Sequence, residues 1–339
     1  MAEPGRAVAI SVVVPVYNEE DSIEPFLART VPVLEKIGPY EIIFCLDPCT
    51  DRTEEVIRAA AGANPRIGLL VFSRRVGQPA ATLAGIFNCR GDACAVIDVD
   101  LQDPPEVIAD LHGKLAEGFE VVYGRRRSRR GETLPKRLVS WAGYKVINRI
   151  ASVDIPRNTG DFRIMSRRAV EELRWLSEGH GFLRGMVALV GFRQGEVLYD
   201  RDQRHAGQRK YNAYLGSLKI GFNGIVGFST YPLSLILVLG LVVAGLGLLG
   251  SLYILVSKLA FQQDYPLGVP TLIILVLLLG GIQLISVGVL GEYIGRTYDE
   301  VRRRPLYVVD RAVNVEMIDR RGPRSGPGDR SAQPFFEAS

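Results

Sequence analysis

Val96-Ile97-Asp98-Val99-Asp100-Leu101-Gln102-Asp103-Pro104-Pro105-Glu106 is the stretch that decides how the chain folds and where its chemistry lies. The small and β-branched residues leading into it, Ala93 to Val99, predict a fully buried strand of a parallel sheet. Pro104-Pro105 stops that strand, and a helix is expected to start near Glu106. Asp98 and Asp100 then share one face of the strand end, with the Gln102 amide beside them. Hard carboxylate and amide oxygens so arranged suit Mg²⁺ or Mn²⁺, which keep positions open for water and substrate phosphates. The alternative for an isolated D-x-D is a strand-to-helix turn capped by aspartate. The longer acidic string argues for the metal site.

Toward the N-terminus, Ala9 to Val16, Glu41 to Leu46 and Ile67 to Phe72 are further apolar runs separated by helical patterns. The alternation predicts a doubly wound α/β sheet, a fold that binds ligands beyond the carboxyl ends of its strands. Three of those ends carry polar signatures: Pro15-Val16-Tyr17-Asn18-Glu19-Glu20, Asp47, and the acidic string. Together they define a nucleotide-sized site. Asp51 reads as the cap of a helix over Arg52 to Ala61, and Asp47 as either a cap or a site carboxylate.

Toward the C-terminus the 47% hydrophobic content of the 339 residues becomes uneven. Leu233 to Val256 is a run of 24 residues without a charge, and Val269 to Gly291 one of 23. Each would cross a hydrocarbon layer of about 30 Å as a helix; a pair of buried core helices is the alternative. Arg201, Arg204, Arg209, Lys210 and Lys219 precede the first run, and Arg296, Arg302, Arg303 and Arg304 follow the second. Basic flanks favour the cytoplasm, so both termini are expected there. Leu215, Leu218, Phe222, Ile225 and Val226 recur at helical spacing, the pattern of an interfacial helix or of packing beneath the α/β unit. The expected layout is a catalytic unit over 1–212, a juxtamembrane helix over 213–231, a hairpin over 232–295, and a cytoplasmic segment over 296–339 whose tail from Arg320 is disordered.

Met1 to Ala9 lacks the apolar run of a signal peptide, and Cys45, Cys49, Cys89 and Cys94 lack zinc spacing, so reduced thiols are expected. The net charge is only +4, but five arginines crowd positions 125–130, with Lys136 and Arg137 behind them. No nucleic-acid motif accompanies this patch, so nucleic acid is not an expected partner and anionic lipid is the better one. Lys136 and Ser140 fall four apart, on one helical face.

Several segments resemble the membrane-bound polyprenyl-phosphate glycosyltransferases of glycosyltransferase family 2, which include bactoprenol glucosyltransferases and dolichol-phosphate mannose synthases. They are P-x-Y-N-E (Pro15 to Glu19), S-R-x-x-G (Ser73, Arg74, Gly77), the D-x-D-L-Q-D-P-P-E string, G-D-F-R-x-M (Gly160 to Met165), F-L-R-G (Phe182 to Gly185) and A-G-x-x-K-Y (Ala206 to Tyr211). The match spans roughly residues 9 to 305 and includes the two C-terminal apolar runs.

The resemblance implies a GT-A (Rossmann-like) nucleotide-sugar domain followed by interfacial and two transmembrane helices, in the bacterial inner membrane. It implies inverting transfer of a sugar, glucose from UDP-glucose first, to polyprenyl (undecaprenyl) phosphate. Asp98, Asp100 and Gln102 would gather the metal; Pro15, Tyr17, Glu19, Asp47, Gly77, Asp98, Arg204 and Lys210 the donor; Arg125, Arg127, Lys136 and Ser140 the acceptor phosphate. Asp161 and Asp100 are the catalytic candidates, Asp161 as base, electrostatic stabiliser or hydroxyl anchor. The chain departs from the family at Pro48-Cys49 and at Gln208-Arg209. A homotetramer and a downstream flippase are also implied.

Three other readings remain. One is a GDP-mannose-dependent synthase. Another is a processive polysaccharide synthase, of whose Q-x-x-R-W motif only Arg174-Trp175 survives. The last is a non-catalytic membrane scaffold, against which the intact Asp98, Asp100, Gln102 and Asp161 argue.

Overall fold

The computed structural model describes residues 8–127, 159–176, 183–202, 268–302 and 304–318, with scattered helical positions between 233 and 260. Three apolar runs become β1 (Ile10–Val16), β2 (Tyr40–Leu46) and β3 (Ile67–Phe72), every residue of which is buried. Between them lie α1 (Ile23–Ile37) and α2 (Thr53–Ala63); α3 (Gln78–Asn88) leads to β4 (Ala93–Val96). Then come α4 (Val107–Ala116), β5 (Val121–Arg126), β6 (Thr159–Ser166), α5 (Arg167–Trp175), α6 (Leu183–Val190), β7 (Gln194–Tyr199), α7 (Val269–Arg302) and β8 (Val309–Val313).

These strands form one eight-stranded sheet in the order β7-β5-β6-β4-β1-β2-β3-β8. β1 pairs in parallel with β2 and β4, β2 with β3, and β5 with β7, whereas β6 and β8 run antiparallel to their neighbours. Apolar side chains line both faces, as a doubly wound sheet requires. Phe26, Leu34, Ile57, Ile108 and Leu111 of α1, α2 and α4 cover one side; Leu83, Ile86, Val170, Leu173 and Met186 of α3, α5 and α6 cover the other.

The strand expected over Ala93 to Val99 is shorter, ending at Val96. Ile97 N–H still donates to Val13 O at 3.1 Å, but the chain then turns through Leu101, whose φ of 58° lies in the left-handed region. Asp98 and Asp100 therefore sit on a tight turn rather than on a strand face. The Asp100 Oδ1 accepts from Gln102 N–H at 3.1 Å, a local bond by which aspartate stabilises such turns.

β8 extends the unit beyond the expected 1–212 boundary. It comes from the far side of the apolar runs and pairs with β3, while Asn314 Nδ2 donates to Ala61 O and Ile67 O, both at 2.9 Å. The second apolar run lies within the single helix α7. Among the residues whose side chains are described, no helix is long and apolar enough to cross a membrane. The first apolar run, the juxtamembrane segment and the tail from Arg320 lie wholly or largely outside the described residues. All four cysteines are free thiols, as expected.

Candidate active site

The strand directions bring one set of loops to a common rim. It gathers the carboxyl ends of β1 to β5 and of β7, the amino end of the antiparallel β6, and the first turn of α6. The first two loops are bonded to each other: Asn18 Nδ2 donates to Thr50 Oγ1 at 3.0 Å and Thr50 N–H to Asn18 Oδ1 at 2.9 Å. Glu19 N–H donates to Thr53 Oγ1 at 2.9 Å, and Glu19 Oε2 accepts from Ser22 Oγ at 3.0 Å. Asp51 caps the start of α2, taking Thr53 N–H at 3.1 Å. Asp47 does not cap α2: its two buried oxygens accept Val76 N–H at 2.8 Å and Gly77 N–H at 2.9 Å. The Ser73–Gly77 turn is thereby fixed to the end of β2, and Gly77 supplies the φ of 84° needed to enter α3. Arg75 stacks over the Tyr17 ring at 4.0 Å, joining the third loop to the first.

At the centre of the rim, Asp98 Oδ1 accepts from Gln78 Nε2 at 2.9 Å. Burial, then the neighbouring Asp161, Asp100 and Asp103 carboxylates, push the Asp98 carboxyl up to about 7. Among the described residues no three His, Cys, Asp or Glu side chains enclose an ion by themselves. Asp98 and Asp100 with Gln102 are instead a partial set of hard oxygen donors, suited to a cation that completes its shell with substrate phosphates and water. A cation here would relieve the crowding at Asp98, so these residues fit a divalent metal.

Asp161 lies opposite: Arg184 Nε donates to its Oδ1 at 3.0 Å, and Arg163 Nη2 forms an ion pair with it at 3.7 Å. Burial works to raise its pKa, but Arg184 and then Arg163 outweigh it and hold the carboxyl below its ordinary range. Asp161 thus stays ionised. Arg163 is itself buried, which brings its guanidinium down to about 10 despite Asp161. It is held by the Asp161 and Gly160 carbonyls at 3.3 and 3.2 Å.

The arginine run divides by strand alternation. Arg125 lies on the opposite side of β5 from the acidic centre, bonded through Nη1 to both Glu196 oxygens at 3.0 and 3.1 Å. Arg127 pairs with exposed Asp200 at 3.7 Å. The acceptor candidates Arg125 and Arg127 are therefore not brought to the acidic centre. Arg126 is: its Nε donates to Tyr199 Oη at 3.3 Å, and its Nη2 is 3.6 Å from Asp103 Oδ1. Desolvation lowers the Arg126 pKa, but Asp103 and Tyr199 more than offset it, so the guanidinium stays firmly charged.

Pro15 is buried in β1 beside Cys45 of β2. The candidates Lys136, Ser140, Arg204 and Lys210 lie outside the described residues. Sequence reasoning missed Gln78, Asp103, Arg126 and Arg184 as site residues. Arg184 stood in the F-L-R-G motif, and the alternation Val122, Gly124, Arg126 marked the inward arginine.

With this geometry in place, the relatives become informative. Residues 11–174 match the family described as glycosyl transferase family 2. An uncharacterized glycosyltransferase of Synechocystis sp. is 41% identical over 92% of this chain and 98% of its own length. The SfII prophage-derived bactoprenol glucosyl transferase of Shigella flexneri and a prophage bactoprenol glucosyl transferase homolog of Escherichia coli K12 are each 40% identical, over 89% of this chain and 98% of theirs. An acidic rim backed by arginines and identity along nearly the whole length point the same way: the chain belongs to glycosyl transferase family 2.

Proposed function

We propose that the protein transfers glucose from UDP-glucose to polyprenyl phosphate, with inversion, at the cytoplasmic face of a bacterial inner membrane. The product would be a polyprenyl-phosphate glucose for cell-envelope glycans. The observation that carries this reading is the placing of Asp98, Asp100 and ionised Asp161 on one rim, against Arg126 and Arg184. Relatives named bactoprenol glucosyl transferases support the choice of sugar and acceptor. The uncharged runs Leu233 to Val256 and Val269 to Gly291 support a membrane hairpin that keeps the site near its lipid.

The acceptor is a phosphate monoester, already ionised near neutral pH, so positioning matters more than proton removal. One of its oxygens attacks the anomeric carbon as the bond from that carbon to the nucleotide oxygen breaks, releasing UDP. Arg126 can orient the incoming phosphate by charge-assisted bonds. Asp161, held ionised by Arg184 and Arg163, stabilises positive charge developing on the sugar or anchors one of its hydroxyls. Asp98, Asp100 and Gln102 would hold Mg²⁺ or Mn²⁺, which offsets the charge gathering on the departing diphosphate.

The test is transfer of labelled sugar from a panel of UDP- and GDP-sugars to undecaprenyl phosphate, by purified full-length protein with Mg²⁺, Mn²⁺ or a chelator. Metal-dependent formation of lipid-linked glucose from UDP-glucose is expected. Transfer of mannose from GDP-mannose instead would overturn the choice of donor, and failure with every donor by folded protein would overturn the transferase reading.

A further inference from the structure

The acidic string divides into two parts with different surroundings. Asp98 is half-buried on the rim and bonded to Gln78, whereas the Asp103 side chain is only 3% exposed and a phenol and two guanidinium groups converge on its Oδ1. Tyr199 Oη donates to it at 2.5 Å, Arg126 Nη2 is 3.6 Å away, and Arg201 Nε is 3.5 Å away. The Tyr199 ring cannot swing away. It meets Phe162 edge-to-face with centroids 5.6 Å apart, and it closes over Gly124, where a Cβ would lie 2.8 Å from both rings.

The same stretch of chain is gripped further along. Asp202 N–H donates to Gln102 O at 2.9 Å and Arg127 N–H to Tyr199 O at 3.0 Å. Arg29 bridges Glu106 at 2.8 Å and Asp202 at 3.2 Å. Gln102, Asp103 and Glu106 thus form a clasp on residues 199–202, immediately before the segment that carries Arg204 and Lys210.

We propose that Asp103 is a positioning residue: it holds Arg126 beside the acidic centre and fixes the Tyr199–Asp202 stem against the turn that carries Asp98 and Asp100. Its charge is committed to Tyr199 and two guanidinium groups, so it serves the reaction without joining the donor set of Asp98, Asp100 and Gln102. Arg126 shares its face of β5 with Val122 and Gly124, and Asp103 with Tyr199 supplies the partners that hold its guanidinium there.

Two measurements on full-length protein test this. In the first, which rests on the transferase reading, kcat and donor KM are compared for Asp103→Asn, Arg126→Gln and the double variant. Asp103→Asn should lower kcat roughly tenfold to a hundredfold with donor KM nearly unchanged, and the double variant should be no worse than Arg126→Gln alone, since one residue acts through the other. Losses that multiply in the double variant would overturn the action of Asp103 through Arg126, and an inactive wild type would instead overturn the transferase reading. The second measurement needs no turnover. Amide hydrogen exchange at Arg127 and Asp202 should quicken in both Asp103→Asn and the near-isosteric Tyr199→Phe. Unchanged protection at both amides in either folded variant would sink the proposal.

Discussion

Two carboxylates at opposite ends of the same sheet have opposite surroundings. At the amino ends of the strands, Glu41 accepts from Ser11 Oγ at 2.6 Å, Arg90 N–H at 2.7 Å, and Arg90 Nε and Nη2 at 3.1 and 3.0 Å. Both its oxygens are satisfied and its charge is matched. At the carboxyl ends, Asp98 receives one side-chain amide bond from Gln78 and stands among Asp100, Asp103 and Asp161. A carboxylate with its donors in place ties elements together. One crowded by its own kind is maintained at a cost to stability, which selection tolerates where chemistry needs it.

The contrast is broken most directly by Asp100→Ala, expected to cut turnover about a thousandfold while the melting temperature holds or rises. A fully active variant would remove the metal assignment. Asp161→Asn should lower kcat about a hundredfold and leave donor KM little changed, the split expected of a group felt mainly in the transition state; single-turnover and steady-state rates would read it. Glu41→Gln should do the reverse. Removing the charge that accepts from Ser11 and the half-exposed Arg90 is expected to cost roughly 2 kcal/mol in denaturant unfolding, while turnover per folded molecule stays unchanged.

A pH series sharpens the same contrast. The Asp98 carboxyl is pushed up to about 7 in the fold, above its value in the unfolded chain. Its stabilising contribution is therefore fully present below roughly pH 4 and is lost as pH rises through about 7. Without metal, the melting temperature of Asp98→Asn should pull ahead of wild type across that window, and added Mg²⁺ or Mn²⁺ should narrow the gap. The smallest effect is expected of Gly124→Ala, where a Cβ would press on the Phe162 and Tyr199 rings, costing about 1 kcal/mol by thermal melting.

The parallel core was legible in the sequence because its strands are short, apolar and bounded by turn residues: β1, β2 and β3 fall within a residue or two of expectation. Asp51 likewise announced itself by its place before a helical pattern. The end of β4 was misjudged because Ile97 and Val99 are as β-prone as the strand before them, and only the left-handed turn at Leu101 ends the pairing. The arginine run was ambiguous for another reason. Consecutive residues on a strand point to opposite faces, and a run of one residue type hides which member faces inward until its partners across the sheet, Glu196 and Tyr199, are known. Asp47 was read locally, as a cap or a site carboxylate, whereas its partners Val76 and Gly77 lie 29 and 30 residues away. β8 was overlooked although Tyr307 to Val315 carries the apolar residues of an edge strand, since charged Asp310 and Arg311 interrupt the pattern.

That last strand determines how the protein can be made. The bond from Asn314 to Ala61 closes over a sequence separation of 253 residues, so the sheet stays unfinished on the ribosome until both apolar runs have been synthesised. A chain ended at residue 212 would carry most of the active-site rim yet leave the β3 edge bare, an invitation to pair with another copy. Grafting residues 304–318 back onto such a fragment through a short linker, in place of the apolar runs, would restore the missing strand and yield a water-soluble catalytic half.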